Sequence, residues 1–342
     1  MANLKFAVLG TGFWSHYQIP AWFEVGGVDL VAVYNRTIEK AEKVAKKFQV
    51  PSVYSRPEEL LISEKLEFVD IITEIDGHAP LVELAAKYHV PVICQKPMAP
   101  DLATAENMVR ICQLAGIPFY IHENWRWQTP IREFYTRLQT DEIGNVFRAR
   151  ITWISSFDHF QNQPSLKNLQ HLILMDMGSH LLDIARFMFG EVVSLYCQTN
   201  QVNADLSGED VATVFLKTVA GTDVIVEMAY ARAPVERNYF PQTFIFVEGT
   251  KGTLELAPDY WLRMTTREGV NTVRIPPPRY PWADPAYDVV HASIVPCNTD
   301  MLMGLRGLGK SETTGEDNLK TVRLVHAAYQ SAESNQVIYL ER

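Results

Sequence analysis

The stretch LKFAVLGTGFWS (4–15) decides how the first half of the chain is read. Residues 4–9 form a short apolar run, as a buried strand requires, and Gly10-Thr11-Gly12 follows where a strand would turn into a helix. Gly10 suits the tight turn, and Gly12 lets the backbone approach a pyrophosphate. The N-terminus of the next helix then offers N–H groups to its negative charge. Ser15 takes the third small position of this fingerprint. Alone, a GxG is equally a plain strand-to-helix connection; after the first strand of a βαβ unit it predicts a dinucleotide site.

Outward from that turn the chain alternates. Apolar runs at 30–34, 69–73, 91–94 and 117–121 read as strands. Between them IEKAEKVAKKF (38–48), APLVELAAKY (79–88) and residues 101–115 have helical spacing. Parallel strands need helical crossovers, so this alternation predicts a parallel sheet covered by helices. Beyond His122 the pattern changes. Strand candidates at 146–154, 191–199, 210–218, 223–231, 243–249 and 252–257 are closer together, with short turns at 217–222 and 248–252. MDMGSHLLDIARFMFG (175–190) interrupts them as one helix, and residues 319–331 form a late one. PPPRYPWADPAYD (276–288) is a loop. The expected fold is α/β: an N-terminal Rossmann domain over 1–122, and an α+β domain over 123–342 with a large, predominantly antiparallel open sheet. The second is expected to bind substrate and support oligomerisation, with late helices packing back on the first.

Composition narrows the partners. Of 342 residues, 47% are hydrophobic and the formal net charge is −9, which argues against duplex nucleic acid or an anionic membrane as main partner. Cys94, Cys112, Cys197 and Cys297 form no CxxC pair and suggest neither a disulfide framework nor a zinc cluster. The N-terminal run reads as a first strand rather than a secretory signal, and no apolar segment reaches the ~18 residues of a membrane span. A soluble cytoplasmic protein is expected.

At the end of the second strand an acidic residue would favour NAD by accepting from the ribose hydroxyls. Here Asn35-Arg36-Thr37 stands instead, and Arg36 suits a 2′-phosphate with Thr37 at its edge. A surface arginine beside a helix cap is the plain alternative. Lys40, carried as a further contact, reads more simply as a solvated helix residue. Lys96, in Gln95-Lys96-Pro97, follows the fourth strand at the sheet edge where such folds hold ligands. Asp176, His180 and Asp183, spaced by four and three, share one helix face, which permits a site without establishing one.

Gly10-Thr11-Gly12, Gln95-Lys96-Pro97, Asn124-Trp125-Arg126 with Pro130, and Asp176-Met177-Gly178-Ser179-His180 with Asp183 resemble, in order, the motifs of the glucose-fructose oxidoreductase and inositol dehydrogenase family. Gly249-Thr250-Lys251-Gly252 extends the likeness into the second domain. The resemblance implies hydride exchange between NAD or NADP and a sugar, cyclitol or related polyol, with Arg36 tilting the choice to NADP. It implies a homodimer or homotetramer. It assigns Lys96 to substrate binding and proton movement, Asp176 to orienting the substrate or His180, and His180 to general acid/base work. Imidazole suits that step because it titrates near neutrality, and a lysine can stabilise a developing alkoxide. An aldose oxidised at its anomeric carbon to the lactone is the preferred substrate. A cyclitol dehydrogenase, an aldehyde or ketone reductase, or a regulatory protein that holds cofactor without turnover are the alternatives.

Further candidates follow from the same likeness. Phe13, Trp14, Thr73, His78, Gln95, Asn124 and Trp127 join the cofactor set. Arg126, Trp153, Asp183, Tyr287, His291 and Arg232 join Lys96, Asp176 and His180 in the substrate set. For Arg126 a salt bridge that pins the linker, and for Asp183 a helix cap or a network orienting His180, are open alternatives. Two departures matter. The family's commoner Glu-Lys-Pro is Gln95-Lys96-Pro97, and a glycine-rich approach to the aspartate is replaced by His171-Leu172-Ile173-Leu174-Met175, where His171 is either a ligand or structural. No HExxH, cysteine cluster or GxSxG elbow points to a metal or serine hydrolase site.

Overall fold

The computed structural model describes residues 2–231, 235 and 241–340. Arg232 lies outside them. Two compact units divide the chain: Met1–Glu123 with Ile294–Val322, and Asn124–Ser293 with Arg323–Arg342.

In the first unit β1 (Leu4–Leu9), α1 (Ser15–Val25), β2 (Val28–Tyr34), α2 (Ile38–Phe48), β3 (Ser52–Tyr54), α3 (Pro57–Ser63), β4 (Phe68–Ile71), α4 (His78–Lys87), β5 (Val92–Gln95), α5 (Leu102–Ala115) and β6 (Phe119–His122) follow one another. The strands form one parallel sheet in the order β3-β2-β1-β4-β5-β6. Central strands of a parallel sheet are covered on both faces, and Phe6 to Leu9, Val69, Ile71, Val92, Cys94 and Ile121 are accordingly buried. Phe6 stacks on Phe68, with ring centroids 4.8 Å apart, and Trp22 of α1 packs against both. The strand order reverses between β1 and β4, and the carboxyl ends of the strands there form the switch point at which this topology holds ligands. The Gly10 turn, Thr73 and Lys96 all follow such ends. The late segment completes this sheet's edge: Ile121 N–H donates to the Thr313 carbonyl at 2.9 Å, and Leu319 and Val322 enter the core.

The second unit carries α6 (Thr129–Leu138), β7 (Val146–Ser155), a π-helical turn (Leu174–Gly178), α7 (Ser179–Phe189), β8 (Val192–Asn200), β9 (Val211–Thr218), β10 (Asp223–Tyr230), β11 (Phe244–Gly249), β12 (Gly252–Ala257), β13 (Trp261–Thr266) and β14 (Gly269–Arg274). Downstream, α8 (Asp288–Leu305) and α9 (Gly315–Ser334) each run across a unit boundary, and β15 (Ile338–Tyr339) ends the described elements. The sheet order is β14-β13-β12-β11-β7-β10-β9-β8-β15, antiparallel throughout except for the parallel pair β7 and β10. Burial alternates along β10, where Val224, Val226, Met228 and Tyr230 face inward against α7. Ion pairs such as Arg148–Glu248, Arg150–Glu227 and Arg263–Glu255 link neighbouring strands on the opposite, solvated face.

Two expectations change. Residues beyond the proline-rich loop, to which the sequence assigned no element, form α8, eighteen residues with Pro296 inside. Val289, Val290, Ala292, Ile294, Cys297, Met301 and Leu302 are buried together with His291, Ser293 and Asn298 while Met303 is exposed, so polar and apolar side chains do not separate onto two faces of this helix. The single helix expected at 175–189 is a π-helical turn followed by α7. No helix among the described residues is long and apolar enough to cross a membrane.

Candidate active site

The glycine turn is set by sterics. Gly10 has φ +110°, and a Cβ there would lie 2.4 Å from the Ile72 carbonyl oxygen. A Cβ at Gly12 would meet nothing within 4 Å, so the absent side chain leaves open space over the start of α1. Ser15 is buried and closes the turn, its N–H and hydroxyl both donating to the Gly12 carbonyl at 3.2 and 2.7 Å. Phe13 packs edge-on to Trp14 and Tyr17. The Thr73 hydroxyl, just after β4, is buried without a hydrogen-bond partner among the described residues. An open cradle at a helix N-terminus and an orphaned hydroxyl at the switch point both fit a dinucleotide.

Asn35 serves the turn itself. Its amide donates to the Thr11 hydroxyl at 2.7 Å, and its carbonyl accepts from the Thr37 N–H at 2.8 Å. Arg36, Thr37 and Lys40 are exposed, and no acidic side chain stands at 35–37. His78, expected at the cofactor, is 1% exposed. One ring nitrogen faces the Pro97 and Met98 carbonyls at 3.1 and 3.3 Å, and the other faces the Thr73 carbonyl at 3.2 Å. Burial draws its pKa down against those carbonyls. It thereby ties the β4 exit to the segment after Lys96, whose bond to Pro97 is cis. Lys96 is half-buried, and Gln95 is buried beside it.

In the second unit Asn124 is engaged by α8, donating to the Ser293 hydroxyl at 2.8 Å and the Val290 carbonyl at 3.3 Å. Residues 125–127 make one tight turn. Trp125 donates through Nε1 to the Thr243 hydroxyl and stacks on the His180 ring, with centroids 4.0 Å apart and planes at 20°. Arg126 grips Asp183 with two bonds, Nε to Oδ2 at 2.7 Å and Nη2 to Oδ1 at 2.5 Å, both residues being buried. Arg126 and Asp183, expected as substrate ligands, are thus held by each other. Trp127 is buried with the Arg132 guanidinium 4.3 Å from its ring centre.

The helix itself is not an amphipathic surface. Of residues 172–186 only Asp176 is not buried, and His180 is 2% exposed. The π-helical turn alters the simple i, i+4 stacking of Asp176 over His180, a distortion that recurs at functional sites. Glu209 secures it by accepting from the Leu172 N–H at 3.0 Å, the Leu174 N–H at 3.1 Å and the Tyr329 hydroxyl at 2.7 Å. Tyr329 in turn accepts from the Met175 N–H, and His171 stacks on its ring, a structural place. Asp176 accepts a hydrogen bond from the Tyr230 hydroxyl. Burial and the Asp176 charge push the Tyr230 pKa far up, so this phenol stays a donor.

Trp153 is fully buried and packs edge-on to Tyr230 at 5.7 Å, so it backs the site through that ring. Tyr287 stacks on His291 at 5.2 Å, meets Phe157 edge-on and accepts from the Asn162 amide at 3.1 Å. His291 Nδ1 accepts the Asp284 N–H at 3.0 Å, and burial lowers its pKa to about 3, leaving a neutral ring protonated at Nε2. Sequence reasoning missed Tyr230, Glu209, Tyr329, Phe157 and Asn162. None lies in a motif, and a strand-end tyrosine or a loop glutamate carries no local signal. Among the described residues no group of three or more His, Cys, Asp or Glu side chains could hold a metal ion.

Comparison with known proteins gives the family. Residues 4–122 match the oxidoreductase family with NAD-binding Rossmann fold, and residues 131–255 match the GFO/IDH/MocA C-terminal domain. The chain is 40% identical over 339 residues to a D-apiose dehydrogenase of Paraburkholderia graminis, covering 99% of this chain and 90% of that one. It is 38% identical to a D-apiose dehydrogenase of Rhizobium rhizogenes, covering 99% and 98%. An oxidoreductase from Agrobacterium radiobacter, solved with NAD+, L-tartaric acid and magnesium, superposes with a TM-score of 0.96 at 38% identity over 99% of this chain and 98% of that one.

Replacing Arg126 with Met should destabilise the protein by about 3–5 kcal/mol by removing the guanidinium from the buried Asp183 charge. Denaturant unfolding should show most of that loss recovered when Asp183→Leu is added. An Arg126→Met protein as stable as the parent would mean the pair does not hold this turn to α7.

Proposed function

The chain belongs to the GFO/IDH/MocA oxidoreductase family, and from that premise we propose that it oxidises D-apiose or a closely related branched aldose to the lactone. It is an NAD(P)-dependent dehydrogenase. The observation that carries the substrate is the full-length match at 40% identity to D-apiose dehydrogenase, in a chain that keeps Lys96, Asp176 and His180. The first unit takes the cofactor role, through the Gly10 to Gly12 turn, Thr73 and the Arg36 edge, and the second takes the substrate role.

When bound, the nicotinamide dinucleotide accepts the hydride from the anomeric carbon. His180 takes the proton of the anomeric hydroxyl, so that carbon and oxygen are left as the lactone carbonyl. The Lys96 ammonium stabilises negative charge on that oxygen as the O–H bond weakens. Asp176, the side chain with solvent access on its helix, accepts from a sugar hydroxyl. Trp125, stacked beneath His180, holds the imidazole plane while it carries the proton. Tyr287 and the neutral His291 meet the remaining hydroxyls as uncharged donors. We place it in the cytoplasm on the ground that its four cysteines are free and buried, as suits a reducing compartment. We expect a homodimer or homotetramer, and light scattering from the purified chain should give two or four times its monomer mass. A monomeric mass would remove that expectation.

Incubated with a panel of aldoses and polyols, the protein should reduce cofactor fastest with D-apiose, as followed by nicotinamide absorbance. His180→Ala should lower kcat by about 10²- to 10⁴-fold, and Lys96→Met should also slow it strongly. A panel without turnover, or near-normal kcat in both variants, would remove this reading.

For the cofactor, the exposed Arg36 and the absence of a carboxylate at 35–37 favour acceptance of NADP alongside NAD. Arg36→Ala should cut kcat/KM with NADP by about tenfold or more, as expected for one charge-assisted contact, and leave NAD nearly unchanged. Equal effects on both cofactors would deny Arg36 the phosphate.

A further inference from the structure

A carboxylate lies fully buried in the middle of the first unit's sheet. Asp70 of β4 is 0% exposed, and the groups that hydrogen-bond it are neutral. Its oxygens accept instead from Gln18 Nε2, at 2.8 Å to each, and from Trp22 Nε1 at 2.8 Å, both on α1. Gln18 passes the chain on: its Oε1 accepts from Gln95 Nε2 at 2.5 Å. Gln95 Oε1 accepts from the Lys96 N–H at 3.3 Å. Gln18 and Gln95 are themselves buried.

We propose that Asp70 is a positioning residue for Lys96, its carboxylate fixing the direction of a Gln18–Gln95 amide chain that ends on the Lys96 backbone. The inference rests on the reading of Lys96 as the group that stabilises the reacting oxygen. The direction follows from donor and acceptor inventory. An indole N–H only donates and a carboxylate only accepts, so Gln18 must present its NH2 to Asp70. Its carbonyl then faces Gln95, which must donate in turn, leaving the Gln95 carbonyl for the Lys96 N–H. Neither amide can turn over without setting two acceptors against each other, a costly arrangement where water cannot enter. Burial is the larger influence and pushes the Asp70 carboxyl up to about 7, while donation from Trp22 and Gln18 draws it down and favours the ionised form, for which this amide order holds. The same logic gives a physical reason for glutamine rather than glutamate at 95: a carboxylate there would face the Gln18 carbonyl.

The chain can be reversed by design. In the variant Asp70→Asn with Gln95→Glu, residue 95 accepts from Gln18, Gln18 accepts from residue 70, and residue 70 still accepts from Trp22. Gln95→Glu alone should lower kcat by about 10- to 100-fold, the scale of one buried unsatisfied group. Asp70→Asn alone should lower it by several-fold. The double variant should return to within about threefold of the parent, with NAD and NADP binding by calorimetry nearly constant throughout. A structural role alone would move stability without this reciprocal rescue of kcat. If Gln95→Glu fails to fold, Asp70→Asn alone decides, and parental kcat in it overturns the proposal. Losses that multiply in the double variant overturn it as well. The thermal midpoint of the cofactor-free protein reads the same cycle without substrate. Rescue of that midpoint beside near-normal turnover in Lys96→Met would therefore leave the amide chain standing while removing the role of Lys96 and, with it, the positioning role of Asp70.

Discussion

The buried pair of Arg126 and Asp183 is the constraint from which the substrate-side geometry is built. It joins the tight turn after the first unit's last strand to α7 through two parallel bonds between planar groups. Such a pair tolerates little error: removing each ion from water costs several kcal/mol, offset only while both bonds keep good geometry. Trp125 precedes Arg126 and His180 precedes Asp183 by three residues, so fixing the pair fixes the stack of indole on imidazole. The ring expected to move the proton is held through groups that need never touch the substrate.

Asp176 depends on a second set of supports. Glu209 gathers the amides at the head of the π-helical turn, Tyr329 extends that grip by one residue, and Tyr230 donates to the carboxylate from the end of β10. Trp153 and His159 pack against the Tyr230 ring in turn. The effect is to leave a single side chain of residues 172–186 with solvent access while every neighbour is buried. A helix buried all round except for one carboxylate makes sense as a holder for that carboxylate.

The first unit follows the same pattern with neutral groups. Asn35 braces Thr11, His78 braces Thr73 and the segment after Lys96, and Gln95 braces the Lys96 backbone. Several residues carried as ligand candidates because they sit in ligand-binding motifs therefore also brace those motifs. Motif position places a residue near a site, and only its hydrogen-bond partners show which of the two tasks it performs.

The sequence by itself determined the alternating first half, its glycine turn and the antiparallel second half. These rest on local rules: period, turn chemistry and the steric need for glycine at Gly10 are all carried by neighbours in the chain. The tertiary structure alone decided the rest. α8 escaped because it buries His291, Ser293 and Asn298 while exposing Met303, so polar and apolar side chains do not separate onto two faces. The π-helical turn escaped because Glu209 and Tyr329, which hold it, lie 37 and 154 residues away from the amides they meet at Leu172 and Met175. For Asp183 and Arg126 the sequence left ligand and structural roles open, and a separation of 57 residues closed into a buried pair. Long-range donors and acceptors choose their partners by packing, which the order of residues along the chain does not display.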